Sequence, residues 1–225
     1  MPGCVREVFA APGRYADLRR QAASSSPAVP WHLADESALR SLTDTVHPQG
    51  VVAVCRVLDV PLREVLGARP RLLAVCADVR DPGNAGSVLR AADAAGARGV
   101  VLTGDSVDVY NGKVVRASVG SVFHLPVVVE DDPGSTVSRL QEAGLSVLAA
   151  DGEGEVDLDD AADSGLLSAP TAWLFGNEAW GIPDPLAALA DHRVRIPIHG
   201  RAESLNLATA AAVCLYASAR AHRRP

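Results

Sequence analysis

Short, nearly unbroken apolar runs recur through the last two thirds of the chain, and the segments between them carry the three-to-four-residue apolar spacing of helices. The runs predict strands at residues 72–77, 99–102, 126–129, 146–150, 172–175 and 192–196. The intervening spacing predicts helices at 84–95, 113–122, 135–143, around 185–190, and at 203–221. Strands with so little polar alternation need cover on both faces. The pattern therefore implies an α/β fold, a parallel sheet with helices on each side. Upstream the signal thins: 24–27 reads as a loop, 36–42 as a helix and 50–57 as a buried strand. Gly67-Ala-Arg-Pro-Arg71 breaks the pattern and predicts a boundary between domains 1–67 and 68–225. The last helix is apolar almost all the way round from Leu205 to Ala219, so it needs burial on more than one side, inside the domain or against a second copy. A homodimer is expected.

With 225 residues, 48% of them hydrophobic and 21% charged, the chain can fill an ordinary globular core. The net charge of −6 is unevenly spread. Residues 1–71 hold nine Arg against seven Asp and Glu, a net of +2, and the rest of the chain carries −8. A polyanion would thus meet the N-terminal part. Cys4, Cys55, Cys76 and Cys214 lie far apart and at no metal-like spacing, which implies free thiols and no bound metal. Residues 1–20 lack an apolar signal core, and the 205–219 run falls short of the roughly 20 residues a membrane span requires. A cytoplasmic protein without membrane attachment is expected.

Three strand ends carry the chemistry. They are Asp78-Val-Arg-Asp-Pro-Gly-Asn-Ala-Gly-Ser-Val-Leu-Arg90, Leu174-Phe-Gly-Asn-Glu-Ala-Trp-Gly-Ile-Pro183 and Ile196-Pro-Ile-His-Gly-Arg-Ala-Glu-Ser-Leu-Asn206. Parallel sheets bind ligands at the carboxyl ends of their strands. Each stretch also has an ordinary explanation: Asn84 and Ser204 as helix caps, and the glycines as turn residues. The chain has no Gly-x-Gly-x-x-Gly, no P-loop and no Gly-x-Ser-x-Gly elbow, which removes support for hydride transfer, nucleotide hydrolysis and serine hydrolysis.

In this order and separation the three stretches resemble motifs one, two and three of the SpoU (TrmH) branch of the SPOUT RNA methyltransferases. Lys113-Val-Val-Arg-Ala-Ser-Val-Gly-Ser-Val-Phe-His-Leu-Pro126 is similar to that family's middle helix and following strand, and the resemblance spans residues 72–222. It implies S-adenosylmethionine as methyl donor, an RNA ribose 2′-hydroxyl as acceptor, a homodimer with the site near the subunit interface, and a C-terminal deep trefoil knot. General topology rules would not have suggested that knot. Residues 1–67, with Val46-His-Pro-Gln-Gly-Val-Val-Ala-Val54, resemble the end of a small L30e-like RNA-binding domain whose opening helix is shortened or absent.

Carried over by position, the resemblance gives catalytic roles to Asn84, Arg90, Glu178, Ser204 and Asn206. It gives donor binding to Leu174, Phe175, Gly176, Asn177, Ile196, Ile198, Ser204, Leu205 and Asn206. Arg90 and Arg116 are its candidate RNA contacts, and no metal is implied. Ribosomal RNA of the 23S type is the expected substrate. A transfer RNA methylase, an antibiotic-resistance methylase and a non-catalytic ribosome-assembly factor would share these motifs.

Overall fold

The computed structural model describes residues 3–23, 29–43 and 49–223. The expected loop at 24–27 and the Val46-His-Pro48 part of the N-terminal motif lie outside the described residues. The chain divides into two compact units, Met1–Leu58 and Asp59–Pro225.

The first unit runs β1 (Val5–Ala10), α1 (Pro12–Ala22), β2 (Trp31–Leu33), α2 (Glu36–Ser41) and β3 (Val51–Cys55). Its sheet has the order β2-β1-β3, with β2 parallel and β3 antiparallel to β1. The β3 segment was expected to be buried, and here the structure corrects the sequence. Among the described residues β3 is an edge strand, with Ala53, Val54 and Cys55 exposed. A short apolar run has the same composition whether one neighbour pairs with it or two. Val8, Ala10 and Leu39 form the buried centre of this unit, which is small.

The second unit begins with α3 (Leu62–Gly67), β4 (Leu72–Ala77), α4 (Pro82–Ala95), β5 (Val100–Thr103), α5 (Gly112–Ala117), β6 (Val127–Glu130) and α6 (Pro133–Glu142). It continues with β7 (Ser146–Ala150), β8 (Val156–Asp157), α7 (Leu158–Asp163), β9 (Thr171–Phe175), α8 (Asp184–Ala187), β10 (His192–Arg195) and α9 (Leu207–Ala221). Leu62 and Val65 of α3 are buried in this unit's core, so the division falls upstream of the Gly67–Arg71 breaker. The seven strands lie in the order β6-β5-β4-β9-β7-β10-β8, and all neighbouring pairs are parallel.

Strand alternation sorts the core into two layers. Leu72, Ala74 and Cys76 of β4, with Trp173 and Phe175 of β9, face α4 and α9. Leu73, Val75, Ala77 and Leu174 face the layer holding α3 and α6. The final helix is pinned beneath β9 by the indole of Trp173, which donates to Ser218 Oγ at 2.9 Å with both residues fully buried. Ser218→Ala would leave that buried N–H unpaired and is expected to cost about 1–3 kcal/mol, read as a lower denaturant midpoint at unchanged m.

Two helices differ from expectation. The 113–122 segment is helical only to Ala117, because Val119 (φ 50) and Gly120 (φ 93) turn the backbone into the left-handed region before a short 3₁₀ turn. The last helix starts at Leu207 rather than at 203, because Asn206 caps it.

Candidate functional site

All strands of the larger sheet point the same way, so the segments after β4, β7, β9 and β10 meet at one edge. The first is set by Asp78, which leaves β4 with φ 56, a conformation Asp tolerates better than most side chains. Its carbonyl accepts from Asn177 Nδ2 at 2.7 Å, tying the first loop to the second. Asp81 then caps α4, accepting from Asn84 N at 2.8 Å. That hydrogen bond, with Lys113 3.5 Å away, holds the Asp81 carboxyl below the usual carboxylate range. Since Asp81 takes the capping role, the side chain of Asn84 is left for other partners.

The second loop is a tight turn closed by two 2.9 Å hydrogen bonds between the backbones of Asn177 and Gly181. It presents Glu178 to the N-terminus of α4, where a carboxylate is favoured by free amides and by the helix dipole. Glu178 Oε1 accepts from Asp81 N at 3.1 Å and from Asn84 Nδ2 at 3.2 Å; Oε2 accepts from Arg80 N at 3.3 Å.

The third segment ends at Asn206, whose Oδ1 accepts from Ala208 N at 2.9 Å and Thr209 N at 3.3 Å. Its Nδ2 donates to Asn84 Oδ1 at 3.0 Å. Glu178, Asn84 and Asn206 therefore form one continuous chain, a residue from each loop. Both amide orientations follow from the network, since each oxygen and nitrogen meets a partner of the opposite kind. Beneath it, the thiol of Cys76 is pushed up to about 12 by burial and by the Glu178 charge, so it stays protonated and unreactive.

Beside this chain lies a cleft of about 300 Å³. Phe175, Val194, Ile196, Ile198, Leu205 and Leu207 supply apolar walls, Gly152, Gly176 and Gly181 supply backbone, and Asp151, Glu178 and Glu203 supply carboxylates. Of the residues expected from sequence, Phe175, Gly176, Asn177, Glu178, Ile196, Ile198, Ser204 and Leu205 line it. Leu174 does not, because alternation along β9 turns its side chain into the opposite core layer. Arg90 and Asn206 line a second, more open recess on the α4 and α9 surface, with Ser87, Ala91, Thr209 and Tyr216. Arg116 is exposed on α5, which packs against α4, and lines neither hollow.

Sequence reasoning missed Ala150, Asp151 and Gly152, which bring the end of β7 into the cleft. A small, glycine-containing stretch directly after an apolar run was the available signal. Asp151 is held there by Arg193, whose Nε and Nη2 donate at 3.0 and 2.8 Å.

An all-parallel sheet whose carboxyl-end loops enclose an apolar cleft fringed by carboxylates defines an α/β protein with a ligand-sized cleft at its strand ends. The SpoU rRNA Methylase family profile matches residues 71–216, and the chain belongs to that family. It is 34% identical over 215 residues to the 23S rRNA (guanosine(2553)-2′-O)-methyltransferase RlmP of Bacillus subtilis (strain 168), covering 96% of this chain and 81% of that one. The fold matches the SpoU methyltransferase AviRb from Streptomyces viridochromogenes with a TM-score of 0.82 and 31% identity, over 97% of this chain and 82% of that one. It also matches an AdoMet-bound rRNA methyltransferase from Sinorhizobium meliloti with a TM-score of 0.80 and 32% identity, over 96% and 80% of the two chains.

Proposed function

We propose that this protein methylates a ribose 2′-hydroxyl of ribosomal RNA, of the 23S type, with S-adenosylmethionine as donor. The observation that carries the reading is the Glu178–Asn84–Asn206 chain beside an apolar, carboxylate-fringed cleft. The relatives agree with it, one a 23S rRNA 2′-O-methyltransferase and one an AdoMet-bound rRNA methyltransferase.

The cleft suits the donor chemically. Apolar walls and backbone groups match an adenine, and the carboxylates match a ligand that carries positive charge at its sulfonium and ammonium groups. When bound, S-adenosylmethionine supplies an already activated methyl group, so the protein's work is to position the acceptor and exclude water. Phe175, Gly176, Asn177, Ile196, Ile198, Ser204 and Leu205 are the donor-holding set, with Ala150–Gly152 added. Glu178, Asn84 and Asn206 fix the loops relative to one another. Arg90 orients the ribose hydroxyl and its neighbouring phosphate by charged hydrogen bonds; a guanidinium, which keeps its proton, is a poor base.

The recess shared by Arg90 and Asn206 opens onto the face of α9 that exposes Thr209, Val213 and Tyr216. That face supports a homodimer with the active site at the subunit interface. The deep trefoil knot in the C-terminal segments, the L30e-like character of the first unit and a cytoplasmic location complete the proposal. Family membership supports the knot. No helix among the described residues is long and apolar enough to cross a membrane. Arg116 is assigned a phosphate contact, and Arg116→Ala is expected to weaken RNA binding and to lower the log–log salt slope by about 1.

The test is incubation with methyl-labelled donor and total RNA from cells lacking the gene, followed by separation of ribosomal from transfer RNA and alkaline digestion. Label in an alkali-resistant dinucleotide of ribosomal RNA supports the proposal. Label confined to transfer RNA overturns the substrate; donor binding without any label points to a pre-ribosomal particle as substrate or to a truncated RNA-binding domain, and no donor binding at all favours a non-catalytic factor.

A further inference from the structure

Trp180 lies two residues after Glu178 in the second loop, and Gly181, with φ 72, reverses the chain immediately after it. The ring is 52% exposed, although its neighbours Glu178 and Gly181 line the donor cleft. Trp180 itself is absent from that lining, so it faces outward at the rim. One face of the indole is covered by Arg80, whose guanidinium carbon sits 5.2 Å from the ring centroid. Arg80 is anchored twice: its Nη2 meets Asp105 Oδ2 at 3.3 Å, and its backbone N donates to Glu178 Oε2 at 3.3 Å.

We infer that Trp180, braced on one face by Arg80, is a stacking platform for a nucleobase of the RNA beside the ribose to be methylated. The inference rests on the proposed RNA methylation and names how that site holds its substrate. The division of labour between two arginines supports it. Arg80 has its charge answered by Asp105 and sits over a ring, which is a brace rather than a phosphate ligand. The Arg90 guanidinium makes no hydrogen bond or ion pair within the described residues and so keeps its charge for the backbone of the substrate.

A half-exposed indole with one face already covered presents its remaining face and edge, and single-stranded RNA is held by the stacking of unpaired bases on aromatic rings. The brace also makes the ring a better platform, since a pre-oriented side chain loses less conformational freedom when a base lands on it. The connection through Arg80 N to Glu178 places the stacked base in fixed register with the Glu178–Asn84–Asn206 chain.

The experiment compares wild type, Trp180→Ala and Trp180→Phe for binding and methylation of ribosomal RNA from cells lacking the gene, with S-adenosylmethionine binding measured separately by calorimetry. Trp180→Ala is expected to weaken RNA binding by about 5- to 150-fold with donor affinity unchanged, and Trp180→Phe, which keeps a ring, to recover most of the loss. RNA affinity unchanged in Trp180→Ala, or a Phe variant as defective as Ala, overturns the platform. Donor affinity lost in parallel with RNA affinity overturns it too, in favour of a donor-site role. If wild type binds RNA without methylating it and Trp180→Ala still loses that binding, the platform stands and the methylation reading falls. If wild type binds no RNA, both fall.

Discussion

Arg90→Ala is expected to lower methyl transfer at saturating donor and RNA by about 10²–10³-fold, the effect of removing one preorganised charged donor from a reacting oxygen. Arg90 is exposed, lines the recess beside Asn206 and makes no competing interaction within the described residues, so its loss leaves the fold intact. Stability should stay within about 0.5 kcal/mol of wild type. Donor affinity should also hold, because Arg90 does not line the cleft. The informative variant is Arg90→Lys. A lysine keeps the charge but not the planar fork, so a role in orienting the acceptor predicts that most of the loss persists. Turnover at the wild-type rate in Arg90→Lys, measured as kcat alongside donor Kd, would show that charge alone suffices.

Gly176→Ala is expected to abolish donor binding in practice, by about 10²-fold or more, and to lower stability by roughly 1–3 kcal/mol. A Cβ on Gly176 would lie 2.3 Å from the carbonyl carbon and oxygen of Gly181 and 2.4 Å from Ile182 N. All three are backbone atoms, so no side chain can swing aside. The turn must open, which breaks the Asn177–Gly181 pair, shifts Asn177 away from the Asp78 carbonyl and moves Glu178 off the N-terminus of α4. Calorimetry with S-adenosylmethionine and a thermal melt read the two effects separately. Wild-type donor affinity in this variant would show that the turn relaxes without cost.

Apart from α3, β8 and α7, which went unread, the larger unit was legible in sequence because its strands are buried on both faces and its helices are punctuated by side-chain caps. Asp81, Asp132 and Asn206 each cap a helix in the expected neighbourhood. The weakly patterned first unit was not. β1, α1 and β2 went unread, since α1 buries no residue and β2 is only three residues long. The 113–122 helix was overextended because an apolar spacing continues through Val119, where the backbone has already left the helix.

Within the site, the sequence placed the three loops at strand ends but left Asn84 open between a helix cap and a site residue. A capping residue and a cross-linking residue look alike in sequence, and Asp81 decides between them only once the start of α4 is known. Leu174 and Phe175 show the same limit. Period-two alternation says that they face opposite ways, but not which of them faces the cleft.

By itself, then, the sequence determined the alternation of strands and helices, the parallel character of the sheet and the residue types at three loops, because burial and capping act over a few neighbouring positions. Tertiary structure alone decided that β9 sits between β4 and β7, that Asp151 reaches the cleft, and that Glu178 and Asn206 meet Asn84 across 94 and 122 residues of chain. Those pairings depend on which strands lie side by side, a choice made by packing the whole core, and no local stretch of residues encodes it.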